Sequence, residues 1–149
     1  MMETQIALLL CSLLSGGDVE ARHDFANLGG TRGIRVDCET ARHVIEIGLD
    51  DRASARDSLH QALFAAEITG KTPLVVLIDR DGREGRYEYE MRLVAARLGV
   101  GYVRCAEAFV QRWRATAPWR RAEGHDIPMA GPQRGLCDLA SLLEDGNGV

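Results

Sequence analysis

Lysine is almost absent from this chain of 149 residues, because Lys71 stands alone among eighteen basic residues. A reaction that needs a lysine ammonium must therefore use Lys71 or proceed without one. The net charge of −4 argues against a protein that coats nucleic acid without discrimination, since such proteins are basic overall. The arginines are still numerous enough to form a local basic groove.

Zinc-type clusters and long apolar segments are also missing. The four cysteines and four histidines are scattered, without the spacing of a zinc site. The apolar run 6–14 is far too short to span a bilayer and follows Glu3 rather than basic residues, so we predict neither a membrane span nor a signal peptide. We expect a cytoplasmic protein without a membrane partner. Its cysteines are expected to be free thiols, mostly buried: Cys11, Cys38, Cys105 and Cys137.

Helical and strand patterns alternate along the chain, which predicts an α/β domain with a central mixed sheet. This domain covers residues 1–117, and a loosely packed C-terminal extension with one short helix near 136–143 covers residues 118–149. Residues 29–33 are predicted to be a flexible connector. The predicted helices are 6–14, 54–68 and 84–98, and the predicted strands are 19–25, 34–39, 43–49, 73–78 and 100–105.

Two acidic residues face each other on consecutive predicted strands. A turn centred at positions 41 and 42 pairs Asp37 with Glu46, which places their Cβ atoms about 5 Å apart on one face. The same register gathers apolar side chains on the other face, namely Ile34, Val36, Cys38, Ile45, Ile47 and Leu49. Two carboxylates this close repel each other, and a divalent cation between them relieves the repulsion.

Asp37 together with Glu46-Ile47-Gly48 resembles the metal-binding half of the site in the PD-(D/E)xK nuclease superfamily. The likeness covers roughly residues 1–105 and includes the order of the elements. It implies a three-layer α/β/α domain of restriction-endonuclease-like fold. It also implies a hydrolase in which Asp37 and Glu46 hold Mg²⁺ or Mn²⁺ for the cleavage of phosphodiester bonds in DNA.

Other positions of the family motif are replaced or only matched in part. Gly48 stands where the family has its lysine, and the predicted register places Arg35 opposite Gly48. We expect the Arg35 guanidinium either to stabilise phosphate charge or to neutralise the two carboxylates in a surface ion pair. Gln61 matches a glutamine of the following helix, whose charged residues are expected to face solvent and so turn Gln61 toward the sheet. Glu3 corresponds weakly to a carboxylate before the sheet. Without the lysine, an inactive binding or assembly module is the alternative function.

A second acidic motif, Asp79-Arg80-Asp81-Gly82, directly follows the buried strand 73–78. Acidic residues at the carboxyl end of a central strand often hold Mg²⁺ for phosphoryl transfer. With Glu46 on an earlier strand, Asp79 and Asp81 resemble a Toprim arrangement, although Ile47 stands where that family has a glycine. The alternative is ordinary turn chemistry, in which the Asp79 or Asp81 side chain caps the region of the next helix.

Arginines and tryptophans alternate in the segment that contains Arg112, Trp113 and Arg114. Such a segment can stack on bases and contact phosphates. Alternatively, Trp113 packs on the sheet from a terminal helix while the arginines are solvated. The resemblance to nucleases implies DNA and a second copy of the chain as partners.

Overall fold

The structure, a computed structural model, describes residues 2–13, 17–27, 29–122 and 137. In this part of the chain, helices and strands follow in the predicted order. The helices are α1 (Glu3–Leu13), α2 (Asp57–Thr69), α3 (Arg86–Leu98) and α4 (Glu107–Ala122), and a 3₁₀ turn (Ala53–Arg56) precedes α2. The strands are β1 (Asp18–Asn27), β2 (Gly30–Glu39), β3 (His43–Leu49), β4 (Thr72–Asp79) and β5 (Gly101–Ala106).

The five strands form one mixed sheet in the order β1-β2-β3-β4-β5. The first three strands are antiparallel neighbours, joined by short turns. The last three are parallel, because α2 and α3 carry the chain back between them. The predicted α/β class and mixed sheet are therefore confirmed.

Helices pack on both faces of the sheet. One core cluster joins α1 and α4 to the sheet and includes Leu74, Val76 and Ile78 of β4. A second cluster joins the 3₁₀ turn, α2 and α3 to the sheet and includes Val75 and Leu77 of the same strand. Alternating side chains of β4 are thus buried on opposite faces, which explains why its sequence is continuously apolar. None of the helices among the described residues is long and apolar enough to cross a membrane.

The hairpin of β1 and β2 contains a local irregularity. Glu20 has a positive φ of 53°, and no pair is formed between Glu20 and Asp37 although the pairs on both sides of them continue in the same register. Cys38 packs with the cluster under α1, whereas Val36 packs with Ala21 and α2. In both strands the apolar side chains therefore point to the α1 face of the sheet on one side of this point and to the α2 face on the other side, as expected at a bulge-like distortion.

All four cysteines are paired, so the prediction of free thiols was wrong. One disulfide joins Cys11 of α1 to Cys38 of β2, and the other joins Cys105 of β5 to Cys137. Burial of these side chains in one core cluster brings together cysteines that are distant in the sequence. The expected cytoplasmic location consequently loses its support from free thiols, because disulfides persist mainly in oxidising compartments.

Two predicted boundaries differ from the structure. The predicted connector 29–33 is mostly strand, because residues from Gly30 onward pair with the end of β1. Helix α4 continues beyond residue 117 to Ala122, with Pro118 inside it. The rest of the predicted extension, including the predicted helix at 136–143, lies outside the described residues except for Cys137.

Candidate metal and phosphodiester site

Asp37 and Glu46 lie together, as the predicted register requires. Strands β2 and β3 pair Cys38 with Ile45 and Glu39 with Val44, which is the predicted alignment. Next to these pairs, the Ile47 N–H donates its hydrogen bond to Asp37 Oδ2, at 2.9 Å, and not to a backbone carbonyl of β2. The carboxyl groups of Asp37 and Glu46 lie close enough for each to shift the pKa of the other.

Burial controls the protonation of this pair. Glu46 is only 2% exposed, and burial, followed by the charge and hydrogen bonding of Asp37, raises its pKa to about 9. Burial also raises the pKa of Asp37, although the hydrogen bond from Ile47 opposes the shift. Near neutral pH the pair therefore holds a proton. Glu46 Oε1 has no hydrogen-bond partner among the described residues, so it can still accept a ligand.

Two further carboxylates, Glu3 and Glu20, lie near the pair. Burial, followed by the charge of Asp37, raises the pKa of Glu3, while Arg52 and Arg80 act in the opposite direction. The charge of Glu20 acts on both Asp37 and Glu46. We call Glu3, Glu20, Asp37 and Glu46 the β2–β3 carboxylate group. Glu20 could not be predicted from the sequence, because its position depends on the distortion of the β1–β2 hairpin.

The space at Gly48 is closed. A Cβ atom at this position would lie 3.1 Å from Ser58 Oγ and 3.2 Å from Ala55 Cβ, so the 3₁₀ turn and α2 pack directly over it. A long side chain at position 48 has no room without movement of this layer. A glycine at position 48 therefore fits this packing.

Arg35 and Gln61 were predicted near the carboxylates; the prediction that Gln61 faces the sheet is wrong, and the predicted pairing of Arg35 with Gly48 is not formed among the described residues. Regular pairing of β2 with β3 stops before Arg35, whose side chain is 66% exposed and lies 3.8 Å from Glu20. Gln61 is exposed. The residues of α2 that face the sheet are Ser58, Leu59, Ala62 and Ala65, because small and apolar side chains allow the helix to pack closely.

A second acidic cluster lies at the carboxyl ends of the parallel strands. Asp50 directly follows β3, Asp79 ends β4, and Asp81 follows in the next loop; their ligand oxygens lie within 4.8 Å of one another. Asp79 Oδ1 accepts the N–H groups of Asp81 and Gly82, so the predicted turn chemistry is confirmed, whereas the predicted capping of α3 is wrong, because its N-cap is Gly85, without a side-chain cap. We call Asp50, Asp79 and Asp81 the aspartate cluster.

The Toprim-like prediction paired Asp79 and Asp81 with the wrong residue. Glu46 pairs with Val75 in the middle of β4, so it lies well before the end of the strand that carries Asp79. Asp50, and not Glu46, lies beside Asp79 and Asp81. A sequence signal for this existed, because Asp50 follows β3 as Asp79 closes β4, and parallel strands end at the same side of a sheet.

Charged neighbours surround the aspartate cluster. Arg104 of β5 contacts both Asp79 and Glu88, and Asp50 Oδ2 accepts the backbone N–H of Arg80 at 3.1 Å. Burial, followed by the charge of Asp50, raises the pKa of Glu88 to about 7. The aspartate cluster and Glu88 therefore form one electrostatic unit.

The segment with Arg112, Trp113 and Arg114 lies on α4. Trp113 is partly buried against the core cluster under α1, with its ring centroid 6.1 Å from that of Phe109. Arg112 and Arg114 are exposed. The packing role predicted for Trp113 is therefore confirmed, and contact of the two arginines with nucleic acid stays a prediction.

Comparisons with known proteins give no family. No family model, no curated protein and no solved structure matches the chain, so the resemblance to nucleases rests on the residues and geometry described above.

Proposed function

We propose that this chain is a divalent-cation-dependent phosphodiesterase that acts on DNA through the β2–β3 carboxylate group. The observation that carries the proposal is the position of Asp37 beside Glu46 on adjacent strands, given by the strand register and by the hydrogen bond from Ile47 to Asp37. The order of a helix, three antiparallel strands, a helix and a parallel strand is what the restriction-endonuclease-like, three-layer α/β/α arrangement requires. We propose that arrangement as the fold.

The residues of this group fit Mg²⁺ or Mn²⁺. Both ions prefer oxygen ligands. When a buried carboxyl pair releases its shared proton, it presents two negative charges to the ion. Asp37 and Glu46 would hold the ion, with the unpaired Glu46 Oε1 available as one ligand atom. When bound, the ion would neutralise phosphate charge and lower the pKa of water.

Glu3 is the candidate for the role that the missing lysine leaves open. It lies beside Asp37 at the first turn of α1, and burial raises its pKa, which makes its carboxylate a better proton acceptor than a fully solvated one. Arg52 lies near Glu3 and offers positive charge to a phosphate group. Arg35 cannot accept a proton, because a guanidinium stays protonated.

Metal binding and DNA cleavage test this proposal together. We expect Mn²⁺ titration by calorimetry and cleavage of single- and double-stranded DNA to depend on Asp37 and Glu46. Asp37→Asn and Glu46→Gln should each remove one equivalent of bound Mn²⁺ and abolish cleavage. Asp24→Asn, which changes an exposed carboxylate on β1, is the matched control and should leave both unchanged. Full cleavage by a folded Asp37→Asn variant would overturn the proposal.

The closed space at Gly48 favours a second candidate, an inactive nuclease fold that binds DNA without cleaving it. For this function the exposed Arg112 and Arg114 on α4 would supply phosphate contacts. This candidate would be favoured by two results together. The wild type should retain DNA in EDTA and Arg112→Ala/Arg114→Ala should not, and the wild type should not cleave DNA in Mn²⁺. Cleavage by the wild type would exclude it.

A further inference from the structure

We infer that the aspartate cluster binds a divalent cation of its own, separate from the β2–β3 carboxylate group. The three side chains come from the ends of two adjacent parallel strands and from the loop that follows, and their ligand oxygens already lie within 4.8 Å of one another. Carboxylate oxygens are the ligands that Mg²⁺, Mn²⁺ and Ca²⁺ prefer. This inference does not depend on the proposed nuclease function.

Unpaired buried oxygens provide the second observation. Asp50 is 7% exposed and Glu88 is 2% exposed, yet Asp50 Oδ1 and Glu88 Oε2 have no hydrogen-bond partner among the described residues. Glu88 is not one of the three aspartates, and its contact with Arg104, which also binds Asp79, places it beside them. A buried carboxylate oxygen without a partner is unfavourable, and a cation would supply the missing partner.

The charges nearby also favour a cation. Four carboxylates, from Asp50, Asp79, Asp81 and Glu88, outnumber the guanidinium groups of Arg104 and Arg80 beside them, and Arg80 also contacts Asp51 and Glu107. The excess is negative in a partly buried site, where charges are screened less than in water.

The hydrogen bonds that Asp79 already makes do not exclude a role as ligand. Its Oδ1 accepts N–H groups from the turn and its Oδ2 contacts Arg104. A carboxylate has about four lone-pair positions, so it can accept these bonds and still coordinate an ion. The turn therefore orients Asp79 toward the other two aspartates. In many metal sites, hydrogen-bond donors that do not touch the ion hold its ligands in place in this way.

Mn²⁺ binding to the full chain tests the inference. The binding is measured by calorimetry and by the electron paramagnetic resonance signal of free Mn²⁺. We expect Asp50→Asn/Asp81→Asn to remove one equivalent of bound Mn²⁺ that Asp37→Asn retains. Glu88→Gln should weaken this binding by about tenfold to a hundredfold, because Glu88 acts beside the ion. Asp51→Asn, in the adjacent exposed position, is the matched control and should bind Mn²⁺ as the wild type does.

The variants also separate failure of this inference from failure of the proposed function. If Asp50→Asn/Asp81→Asn does not fold, Asp81→Asn alone is used, because Asp81 is exposed and outside the core. The inference would be overturned if a folded variant that lacks Asp81 bound Mn²⁺ with unchanged stoichiometry and affinity, and if Glu88→Gln also bound it with unchanged affinity. If the wild type binds Mn²⁺ at the aspartate cluster but not at the β2–β3 carboxylate group, only the nuclease proposal fails.

Discussion

Lys71 Nζ lies 2.7 Å from Glu39 Oε1 and donates a hydrogen bond to the Thr40 carbonyl oxygen at 2.8 Å. The single lysine of the chain is therefore held at the start of β4, away from the residues that follow Glu46. Burial alone would raise the pKa of Glu39, but the hydrogen bonds from Lys71 and His23 together lower it. Lys71 is thus a partner of a buried carboxylate and does not replace the lysine of the nuclease motif.

Removing this partner should destabilise the fold. We expect Lys71→Met to lower the free energy of unfolding by about 1–3 kcal/mol at pH 7, because it leaves Glu39 buried with one charged partner fewer. Urea denaturation measures the change. Lys71→Arg, which keeps a positive charge at this position, should restore most of the loss. Equal midpoints for Lys71→Met and the wild type would show that the pair contributes nothing measurable.

The raised pKa of Glu46 predicts a dependence of stability on pH. The pKa of Glu46 is 4.5 when unperturbed and about 9 in the folded chain, so between these values the folded state keeps a proton that the unfolded chain releases. The contribution of Glu46 to stability should therefore be full below pH 4.5 and fall as the pH rises toward 9, by up to about 1.4 kcal/mol per pH unit. Asp37 and Glu20 face Glu46 and contribute in the same direction.

Comparison with Glu46→Gln isolates this contribution, because the amide does not titrate. Urea denaturation at a series of pH values, in EDTA so that no divalent cation competes with the proton, should show a weaker decline for the variant than for the wild type. The difference between the two curves is the quantity to examine, since Glu88 also has a raised pKa. Parallel curves would contradict the assignment of the proton to this pair.

The packing over Gly48 predicts that neither a methyl group nor a lysine is accepted there. We expect Gly48→Ala to lower the free energy of unfolding by about 1–3 kcal/mol, because the new Cβ would press against Ser58 and Ala55. Gly48→Lys should be at least as destabilising and should not increase DNA cleavage. Gly85→Ala is the matched control, because no atom lies within 4 Å of a Cβ at that position. A stable Gly48→Lys variant with higher cleavage would show that the site opens.

The disulfide between Cys11 and Cys38 should make a large contribution to stability. It closes a loop with a sequence separation of 27, which corresponds to about 3–4 kcal/mol in the loop-entropy description. We expect Cys11→Ala/Cys38→Ala to lose this amount in guanidinium denaturation, and reductant to bring the wild type close to the variant. A thiol assay on the unfolded, unreduced wild type should find no free thiol; reactive thiols there would contradict the pairing.

Local patterns predicted those features of the fold that depend on neighbouring residues. The apolar run of β4 and the turn between β2 and β3 define their own pairing, so the approach of Asp37 to Glu46 could be derived from the sequence. Gln61 could not be oriented in the same way, because the close packing of Ser58 and Ala62 on the sheet decides which face of α2 is buried.

The remaining errors concern contacts that only the three-dimensional structure establishes. Arg35 forms no pair with Gly48 among the described residues, because the regular pairing of β2 with β3 covers only Cys38 and Glu39, and nothing in the local pattern indicates how short that pairing is. Asp50 joins Asp79 because two parallel strands end together, a relationship that requires the order of strands in the sheet. The pairing of Cys11 with Cys38 likewise follows from the position of α1 on the sheet.

The positive φ of Glu20 also affects how copies of this chain meet. Within the part of the chain that the structure describes, strand β1 has one sheet neighbour, β2, and no other described strand pairs with its opposite edge. Glu20 interrupts the extended backbone of that edge, and Arg22 and Asp24 add exposed charges along it. Both features oppose the addition of another strand, as in proteins that avoid aggregation through their sheets. We therefore expect a homodimer of this chain to form through a surface other than β1.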